Sequence, residues 1–477
     1  MKKQNLLLTT LVLAFSTFAI TGCLSSTEID STSDEHIPSP SVTTSDNHVQ
    51  PPVTESSEPP DTAFIPSTEV TPEYIPEYII IGGKQISTSE TKLHIIIDTD
   101  EAEGEFVYFL CIAEEKADAE ISQLRYMTNL QELSIDYYRC PEFNSNFSDI
   151  SALAGLTNLT GLSLTGHSIS DISVLAGLIN LKSLDLKWNE IRDISALAGL
   201  FNLELLDLEW NKTSDISALA GLTKISNLSL SRNRIKDISA LAELKNLTVL
   251  RFDDVNDEIK DTRSFIGTIA EMTDLNVLFI GGHNIDDISE LAKLVNLTEL
   301  RMWNCQISDI SALAGLTCLT KLDIRDSDIG DISALAELVN LTELWMWNCQ
   351  ISDITPIAEL TSLSDLWLNN NQISDLSPLV GLANLTYLSL DSNQIKDLEP
   401  LARLTDLRNL SLSYNQISDL SPLVGLANLT YLHLDSNQIK DLEPLARLTD
   451  LRYLSLSYNQ ISDWSPVEHI DTVWGRP

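Results

Sequence analysis

The sequence predicts a solenoid of the α/β type, in which short parallel strands stack into one curved sheet. The first observation is a template, LxxLxLxxNxIxDIxxLxxL, which recurs from about residue 128 to residue 463. The second is its spacing, because the template Asp returns every 22 residues, at 171, 193, 215 and 237 and again from 309 to 463. A unit of this size does not bury its leucines alone, so consecutive units must share a core.

Each unit predicts the same three elements. The segment LxxLxL alternates apolar and variable positions, which indicates a short strand with its leucines turned inward. The Asn that follows is expected to satisfy backbone groups of a turn. The Asp precedes a convex segment, where a carboxylate caps exposed N–H groups. A calcium ladder is disfavoured, since single acids one unit apart form no oxygen-rich cage.

About fifteen units are present, and one of them, near 245–272, has 28 residues. A further strand is expected at KLHIII, residues 92–97. Residues 78–127 are expected to cap the N-terminal end of the core, with an amphipathic helix in CIAEEKADAEISQL. Residues 464–477 break the template and offer Trp464 and Val467 as a lid over the other end.

The template resembles leucine-rich repeats, and specifically the 22-residue repeats of the internalin family of bacterial surface proteins. Units such as LKSLDLKWNEIRDISALAGL (181–200) and LSDLWLNNNQISDLSPLVGL (363–382) carry the resemblance across residues 128–463. It implies a horseshoe or arc with a parallel sheet on the concave face and 3₁₀ or irregular structure on the convex side. It also implies a function in interaction, without naming the ligand.

The N-terminal residues predict export. Lys2 and Lys3 precede an apolar run from Leu6 to Ile20, which ends at ITGC with Cys23 as its last residue. This ending resembles the lipobox of bacterial lipoproteins, which implies cleavage of residues 1–22 and a diacylglycerol on the Cys23 thiol. An ordinary secretory signal with a chance Cys is the alternative. Residues 23–77, rich in Ser, Thr, Pro and acids, are expected to form a disordered stalk.

Composition excludes several classes of function. The chain has 69 acidic and 30 basic residues and a net charge of -39, so nucleic-acid binding is not expected. The seven histidines are scattered, and His167 and His283 occupy the template's Asn slot. No catalytic residues, cofactor or metal are predicted, and the chain is not expected to be an enzyme. The sequence favours an extracytoplasmic protein, anchored by its lipid to the membrane of a Gram-positive-type bacterium and displayed at the cell surface.

Copied units point to the working surface. Residues 297–310 and 341–354 differ only at Arg301 and Trp345. Residues 375–418 and 419–462 differ at two of 44 positions, where Ser389 becomes His433 and Asn409 becomes Tyr453. All these changes fall at the third, fifth or seventh template position, which strand alternation turns outward on the concave face. We infer that the scaffold was duplicated and that its concave face then diverged.

The outward positions predict an aromatic patch with arginines. Its candidate ligand-binding residues are Phe279, Arg301, Trp303, Arg325, Trp345, Trp347, Trp367, Tyr387, Tyr431 and Tyr453. Trp, Tyr and Arg dominate interface hot spots, so a protein ligand on a host or neighbouring cell is favoured. A glycan stacked on the Trp rings is the alternative partner, and a passive envelope spacer is a third hypothesis. The rings could instead stabilise the sheet by packing on rings of neighbouring repeats, each repeat forming one rung of the solenoid. Trp188 and Trp210 lie one position later and are weaker candidates.

Overall fold

One strand from each repeat joins a single parallel sheet, as the 22-residue spacing predicts. A computed structural model describes residues 75–98, 110–113, 116–137, 145–253, 259–282 and 284–476, all within the unit Pro72–Pro477. The strands are β1 Tyr78–Ile81, β2 Lys84–Ser87, β3 Lys92–Asp98, β4 Leu110–Ala113, β5 Glu132–Asp136, β6 Gly161–Thr165, β7 Ser183–Asp185, β8 Leu205–Asp207, β9 Asn227–Ser229, β10 Val249–Arg251, β11 Val277–Phe279, β12 Glu299–Arg301, β13 Lys321–Asp323, β14 Glu343–Trp345, β15 Asp365–Trp367, β16 Tyr387–Ser389, β17 Asn409–Ser411, β18 Tyr431–His433, β19 Tyr453–Ser455 and β20 Thr472–Trp474.

The sheet contains eighteen strands of the described residues, β3–β20. From β5 to β20 each strand pairs in parallel with the next, and β3 lies between β4 and β5. Rungs are in register, so that Leu322 stands opposite Leu344. The strand expected at 92–97 is therefore confirmed as β3. Strands β5–β19 match the fifteen units of the template.

The convex side is built from 3₁₀ turns. These are Ser122–Tyr126, Ser151–Leu153, Ser173–Gly177, Ser195–Leu197, Ser217–Leu219, Ser239–Glu243, Ser289–Lys293, Ser311–Leu313, Ser333–Leu335, Thr355–Ile357, Ser377–Gly381, Glu399–Arg403, Ser421–Gly425, Glu443–Arg447 and Ser465–Val467. The template Asp precedes each turn from Ser151 onward, and Asp171 Oδ1 accepts the Ser173 N–H at 2.9 Å. That hydrogen bond lowers the pKa of Asp171. The capping interpretation of the Asp ladder is confirmed.

The core is a continuous column of leucines and isoleucines, and in eight of the units an Asn closes the turn that follows the strand. Leu184 and Leu186 are fully buried. Asn189 Nδ2 donates to the carbonyls of Leu164 and Leu186 at 2.7 and 3.0 Å, while its Oδ1 accepts the Ile169 N–H at 3.1 Å. The amide thus ties each rung to the one before it, as the sequence predicts for the Asn slot.

One expectation at the ends was wrong, and the other was incomplete. The segment 111–124 is not one amphipathic helix, because β4 ends at Ala113 and the α-helix α1 covers only Ala117–Ile121. Its first residues extend the sheet edge beside β3, which satisfies their backbone groups. At the other end the chain adds a turn and strand β20 instead of only a lid. Val467 is nonetheless fully buried there.

The 28-residue unit places a longer helix on the convex side. The α-helix α2 spans Thr262–Ala270, and Asp261 caps it by accepting the Ser264 N–H at 3.0 Å. Phe265, Ile266 and Ile269 turn one face into the core, at the spacing of helical neighbours. The six extra residues therefore lengthen the convex path and leave the strand register intact. In the described part of the chain, no helix is both long and apolar enough to cross a bilayer.

Candidate ligand-binding face

The concave face is formed by the third, fifth and seventh positions of each repeat, as predicted. In one unit Leu344 and Met346 are fully buried, whereas Glu343, Trp345 and Trp347 between and beside them are partly exposed. All ten candidate ligand-binding residues lie at such positions, from β11 to β19 and in the residues just after the strands. Parallel pairing brings equivalent positions of adjacent units side by side along the face.

The seventh positions form a ladder of rings around Arg325. Its guanidinium carbon lies 4.3 Å from the Trp347 ring centroid and 5.6 Å from that of Trp303. Trp303 in turn lies over Gly281, where a Cβ would approach three indole atoms at 2.7 Å. Gly281 therefore makes room for this indole, and any larger residue would displace it. Each cation–π contact contributes about 0.5–2 kcal/mol.

The fifth positions repeat the arrangement around Arg301. Its guanidinium carbon lies 4.6 Å from the Phe279 ring centroid and 5.3 Å from that of Trp345. The same group contacts Glu299, with Nη2 2.6 Å and Nε 2.8 Å from Oε1. Arg301 remains 31% exposed as a side chain. The guanidinium is held in a fixed orientation and still reaches solvent.

Carboxylates sit between the two arginine stacks. Arg325 Nη1 lies 3.6 Å from Asp323 Oδ2, and the Asp323 side chain is only 3% exposed. Burial raises the pKa of Asp323, although the Arg325 and Arg301 charges oppose that change. Lys321 Nζ lies 2.7 Å from Glu343 Oε1 on the neighbouring strand. The patch is therefore a set of interleaved rings and ion pairs.

Toward the C-terminus the rings contact each other. Trp347 and Trp367 are 5.7 Å apart and tilted, and Trp367 stacks on Tyr387 at 4.3 Å with planes 17° apart. Burial, with the Asp391 and Asp365 charges, raises the pKa of Tyr387 to about 12. Across-rung packing, one of the two interpretations of the sequence, is thus present for these rings. It does not bury them completely.

The last rungs carry a smaller aromatic group. Tyr431 and Tyr453 lie 6.1 Å apart, and His433 lies 5.0 Å from Tyr453. Tyr431 is 48% exposed, which makes it the most accessible of the ten candidates. His433 and Tyr453 are the two residues that distinguish the later copy of the duplicated unit. Divergence has therefore placed a new ring pair on this face.

The N-terminal half of the concave face is acidic, and the candidate list missed it. Asp185, Asp207, Glu209 and Asp253 occupy fifth or seventh positions there, beside Lys187. Burial, together with the Asp207 charge, raises the pKa of Asp185 to about 6. Burial, together with the Asp207 and Asp253 charges, raises the pKa of Glu209 to about 7. Applying the outward-position rule to residues 183–253 would have found this cluster.

Trp188 and Trp210 form a separate stack at the strand edge. Their rings are 4.9 Å apart with planes 23° apart, and Arg232 lies 4.5 Å from the Trp210 ring centroid. All three have positive φ, at 60°, 55° and 58°. The eighth template position adopts this left-handed conformation in every described unit from Gly166 to Tyr458, and glycine or asparagine there is its sequence signal.

His167 and two of the cysteines are buried among core residues and backbone groups. His167 is fully buried, with Nδ1 2.6 Å from Ser145 Oγ and Nε2 2.9 Å from the Ile135 carbonyl oxygen. Cys305 and Cys349 are buried and lie two rungs apart, and burial raises the pKa of Cys349 to about 11. Among the described residues no group of His, Cys, Asp and Glu could hold a metal ion. Cys23, residues 24–74 of the predicted stalk and His283 lie outside the described residues.

Comparison with known proteins identifies the family. The model of Leucine Rich repeats in two copies matches residues 295–337, 339–381, 383–425 and 427–469, and a Leucine Rich repeat model matches 177–198. The chain is 32% identical to the internalin InlF of Listeria monocytogenes, over 72% of this chain and 91% of that one, with a TM-score of 0.54. The chain belongs to the internalin family.

Two other solved structures share the fold of this internalin-type solenoid. A leucine-rich-repeat protein of Leptospira interrogans is 23% identical over 73% of this chain and 91% of that one, with a TM-score of 0.53. A plant peptide hormone receptor, RGFR1 in complex with RGF2, is 19% identical over 72% of this chain and 62% of that one, with a TM-score of 0.53. No curated protein matches the chain.

Family membership carries general properties. Leucine-rich-repeat solenoids mediate protein–protein interactions, and those of the internalin type are binding scaffolds without enzymatic activity. Internalin-like proteins are found on the cell surface or are secreted. The fold predicted from the 22-residue template is confirmed in full.

Proposed function

We propose that this internalin-type protein binds a protein ligand on a host or neighbouring cell through the concave face between Phe279 and Tyr453. The observation that carries the proposal is the pair of arginine stacks. Arg301 lies between Phe279 and Trp345, and Arg325 lies between Trp303 and Trp347. Arg, Trp and Tyr held in fixed orientations bind a partner with little loss of side-chain entropy.

The pattern of divergence supports the same face. Arg301 and Trp345 are the single difference between two copied segments, and each takes part in the same cation–π contact. In the later duplication, Tyr453 replaces Asn409 and lies beside His433. Changes confined to outward positions leave the core unaltered. They are what a surface selected for binding would accumulate.

A protein ligand is favoured over a glycan by the ring geometry. Trp367 and Tyr387 stack on each other at 4.3 Å, so each covers one face of the other. A sugar ring needs an open aromatic face, whereas a protein side chain also binds ring edges and the intervening charges. The chain is acidic, with a net charge of -39, so a basic ligand would associate faster at low salt.

The proposal is tested with the full chain and a variant with Trp303, Trp345, Trp347 and Trp367 changed to Ala. The matched control changes Trp188 and Trp210, which stack at the strand edge, to Ala. All three proteins, after circular dichroism establishes equal folding, are applied to arrays of purified cell-surface proteins and of glycans. Capture of a protein by the wild type and the control, but not by the fourfold variant, supports the proposal.

Other outcomes contradict it in distinct ways. Capture of a glycan that a soluble sugar displaces would assign the face to carbohydrate binding. Equal binding by all three proteins would move the site away from the aromatic patch. Absence of any ligand would favour a passive spacer in the envelope. We also propose that the protein has no catalytic activity, because the face offers rings and paired charges without a nucleophile or metal cluster among its described residues.

We further propose that Cys23 carries a diacylglycerol that anchors the protein outside the membrane of a Gram-positive-type bacterium. Two acyl chains hold a protein stably to a bilayer, at about 0.8 kcal/mol for each buried CH₂. Labelling of cells with an alkyne fatty acid should mark the wild type and a Cys318→Ser control. It should leave a Cys23→Ser variant unlabelled and released to the medium. Labelling of Cys23→Ser would contradict the anchor.

A further inference from the structure

The acidic half of the concave face contains a notch whose floor is made of two serines. Ser229 and Ser231 occupy the fifth and seventh positions of one rung, and they are only 5% and 2% exposed. In the rung before them stand Asp207 and Glu209, and in the rung after them stand Arg251 and Asp253. We name this group of Ser229, Ser231, Asp207, Glu209 and Asp253 the serine notch. The two short side chains are flanked by longer ones, which are acidic at three of the four neighbouring outward positions and basic at Arg251.

One polar group of the floor has no partner. Ser229 Oγ is buried and makes no hydrogen bond with any described residue, whereas Ser231 Oγ donates to Asp253 Oδ1. Leu228 and Leu230 point into the core on either side of Ser229, so its hydroxyl must point toward the notch. A buried hydroxyl without a hydrogen bond costs about 1–3 kcal/mol. A ligand that accepts or donates a hydrogen bond at this point would remove that cost.

The cations nearest the notch each have another partner. Lys187 Nζ lies 2.7 Å from Asp185, one rung further back. The Arg251 guanidinium lies 5.0 Å from the Phe279 ring centroid, on the side away from the serines. The charges of Lys187 and Arg251 still act on Glu209, and Lys187 also interacts with Asp207, so the walls are only partly neutralised. The carboxylates of Glu209 and Asp253 repel each other across the floor.

We propose that the serine notch binds a protonated primary amine, whose N–H groups donate to Ser229 Oγ and to the carboxylates of Glu209 and Asp253. An ammonium group has three donors and no acceptor, which matches a hydroxyl and two carboxylates. Strands about 4.8 Å apart place the backbones of Glu209 and Asp253 roughly 10 Å apart, on either side of the serine rung. Side chains that extend from both sides can therefore reach one nitrogen between them. This site is separate from the aromatic patch.

A metal ion fits this arrangement less well. Calcium needs six to eight oxygens at about 2.3–2.6 Å, and the carboxylates here lie on two rungs that the serine rung separates. No metal-binding group occurs among the described residues. The amine could be a free small molecule or the lysine side chain of a bound protein. Both present the same ammonium group, so the experiment must separate them.

The charge state of the walls predicts how binding depends on pH. The pKa of Glu209 is raised to about 7 by burial and by Asp207 and Asp253, against the opposing charges of Lys187 and Arg251. Asp185 lies on the adjacent rung, with a pKa raised to about 6. An alkyl amine stays protonated throughout this range. Amine affinity should therefore increase between pH 6 and pH 8, as Glu209 ionises.

The test is calorimetric titration of the full chain at pH 8 with two singly charged probes, butylammonium and the blocked peptide acetyl-Gly-Lys-Gly-amide. The double variant Glu209→Gln with Asp253→Asn should lose at least tenfold in affinity. Ser229→Val fills the floor and should lose at least threefold. Because the buried Ser229 hydroxyl has no partner, its removal should not lower the thermal unfolding temperature. The matched control, Glu243→Gln with Asp274→Asn, removes two exposed acids elsewhere and should bind like the wild type.

The outcomes separate the alternatives. Equal binding of both probes supports the site with a free amine as ligand, and binding of the peptide alone supports it with a lysine side chain. An equal loss in the matched control would overturn the proposal, because net charge alone would then explain binding. Equal binding of butanol, or displacement of butylammonium by equimolar Ca²⁺, would also overturn it. The fourfold Trp variant should keep amine binding, so failure of the aromatic patch and failure of the notch are distinguishable.

Discussion

The guanidinium of Arg325 lies 4.3 Å from the ring centroid of Trp347, on the concave face of the sheet. The same arginine is 3.6 Å from Asp323, whose side chain is 3% exposed. Each partner therefore restrains the other two. These contacts of Arg325 with Trp347 and Asp323 make this part of the face rigid. They also determine how the removal of one of the three side chains affects the other two.

Replacement of Arg325 by Ala should lower the free energy of unfolding by about 1–3 kcal/mol, because a nearly buried carboxylate loses its cation and Trp347 loses a cation–π contact. Partial exposure of Arg325 keeps the loss below that of a fully buried pair. Chemical denaturation measures the change. Arg263→Ala is the control, since that side chain is 85% exposed and lies 3.5 Å from Asp287. Equal losses in both variants would contradict the account.

Replacement of Asn371 by Ala should destabilise the solenoid by about 2–4 kcal/mol. Its Oδ1 accepts the Ile351 N–H at 3.1 Å, and Nδ2 donates to the carbonyls of Met346 and Leu368 at 2.9 and 3.0 Å. Asn384→Ala, which removes one exposed hydrogen bond to Thr361, should cost about 0.5–1 kcal/mol.

Replacement of Asn371 by Cys extends this experiment. Cys349 occupies the equivalent slot of another repeat, with Sγ 3.6 Å from the Ile324 carbonyl oxygen. The thiol is a weak hydrogen-bond donor, so it replaces only some of the hydrogen bonds that the Asn amide makes with the backbone. Asn371→Cys should therefore fall between wild type and Asn371→Ala in denaturation midpoint. A stability equal to that of the Ala variant would contradict this role for the sulfur.

The sequence predicted the repeated parts of the fold because each unit restates the same constraints. Leucine spacing, the Asn slot and the Asp ladder all specify one local structure, and 22-residue periodicity specifies how units join. The segment 111–124 was not predicted correctly, since its residues have no repeated template. Whether such residues form a strand or a helix depends on the neighbour that they meet, here β3.

For the candidate residues, the sequence predicted which face of the sheet they lie on but not which residues they contact. Alternation alone placed Trp345 and Arg301 on the concave face. Their cation–π contact depends on χ angles and on the Asp323 charge between their rungs, which no periodicity encodes. The serine notch was not predicted, because the sequence was searched for large aromatic residues at outward positions and this rung carries small ones. Its signal lies in the contrast between Ser229 and the acids at equivalent positions of its neighbours.

Acid should destabilise the protein through the Asp ladder. Hydrogen bonds from the backbone two residues ahead lower the pKa of Asp171, Asp193, Asp215 and Asp237 in the folded state. A carboxyl with a lowered folded pKa contributes stability above its unfolded pKa, near 3.8, and loses it as pH falls through the folded value. The denaturation midpoint should therefore drop between pH 5 and pH 2.5.

Changing these four aspartates to Asn separates their contribution to acid sensitivity from that of the other carboxyl groups. The amide oxygen still accepts the backbone hydrogen bond but does not titrate in this range. The variant should be less stable than wild type at pH 6, and its stability should vary less with pH below 4. Parallel midpoint curves for the two proteins would show that other carboxyls cause the acid sensitivity.

Tyr458→Asn should stabilise the protein by about 0.5–1 kcal/mol, because asparagine adopts the left-handed conformation at lower cost than tyrosine. Tyr458 has φ of 59° and is 84% exposed, so the replacement loses little packing. Trp188→Asn is the matched change at the same template position, with φ of 60°. There the loss of the stack on Trp210 should cancel the gain. A lower midpoint for Tyr458→Asn would contradict the strain argument.

The Asn amides join successive rungs, and each described strand from β6 to β19 pairs with the strand before it and the strand after it. A protein held at one end and pulled at the other would therefore yield from its ends, one rung after another. Each released unit of 22 residues adds roughly 70 Å of extended chain. Under tension the solenoid would act as an extensible tether, absorbing work in steps while the rungs still folded keep their binding surface.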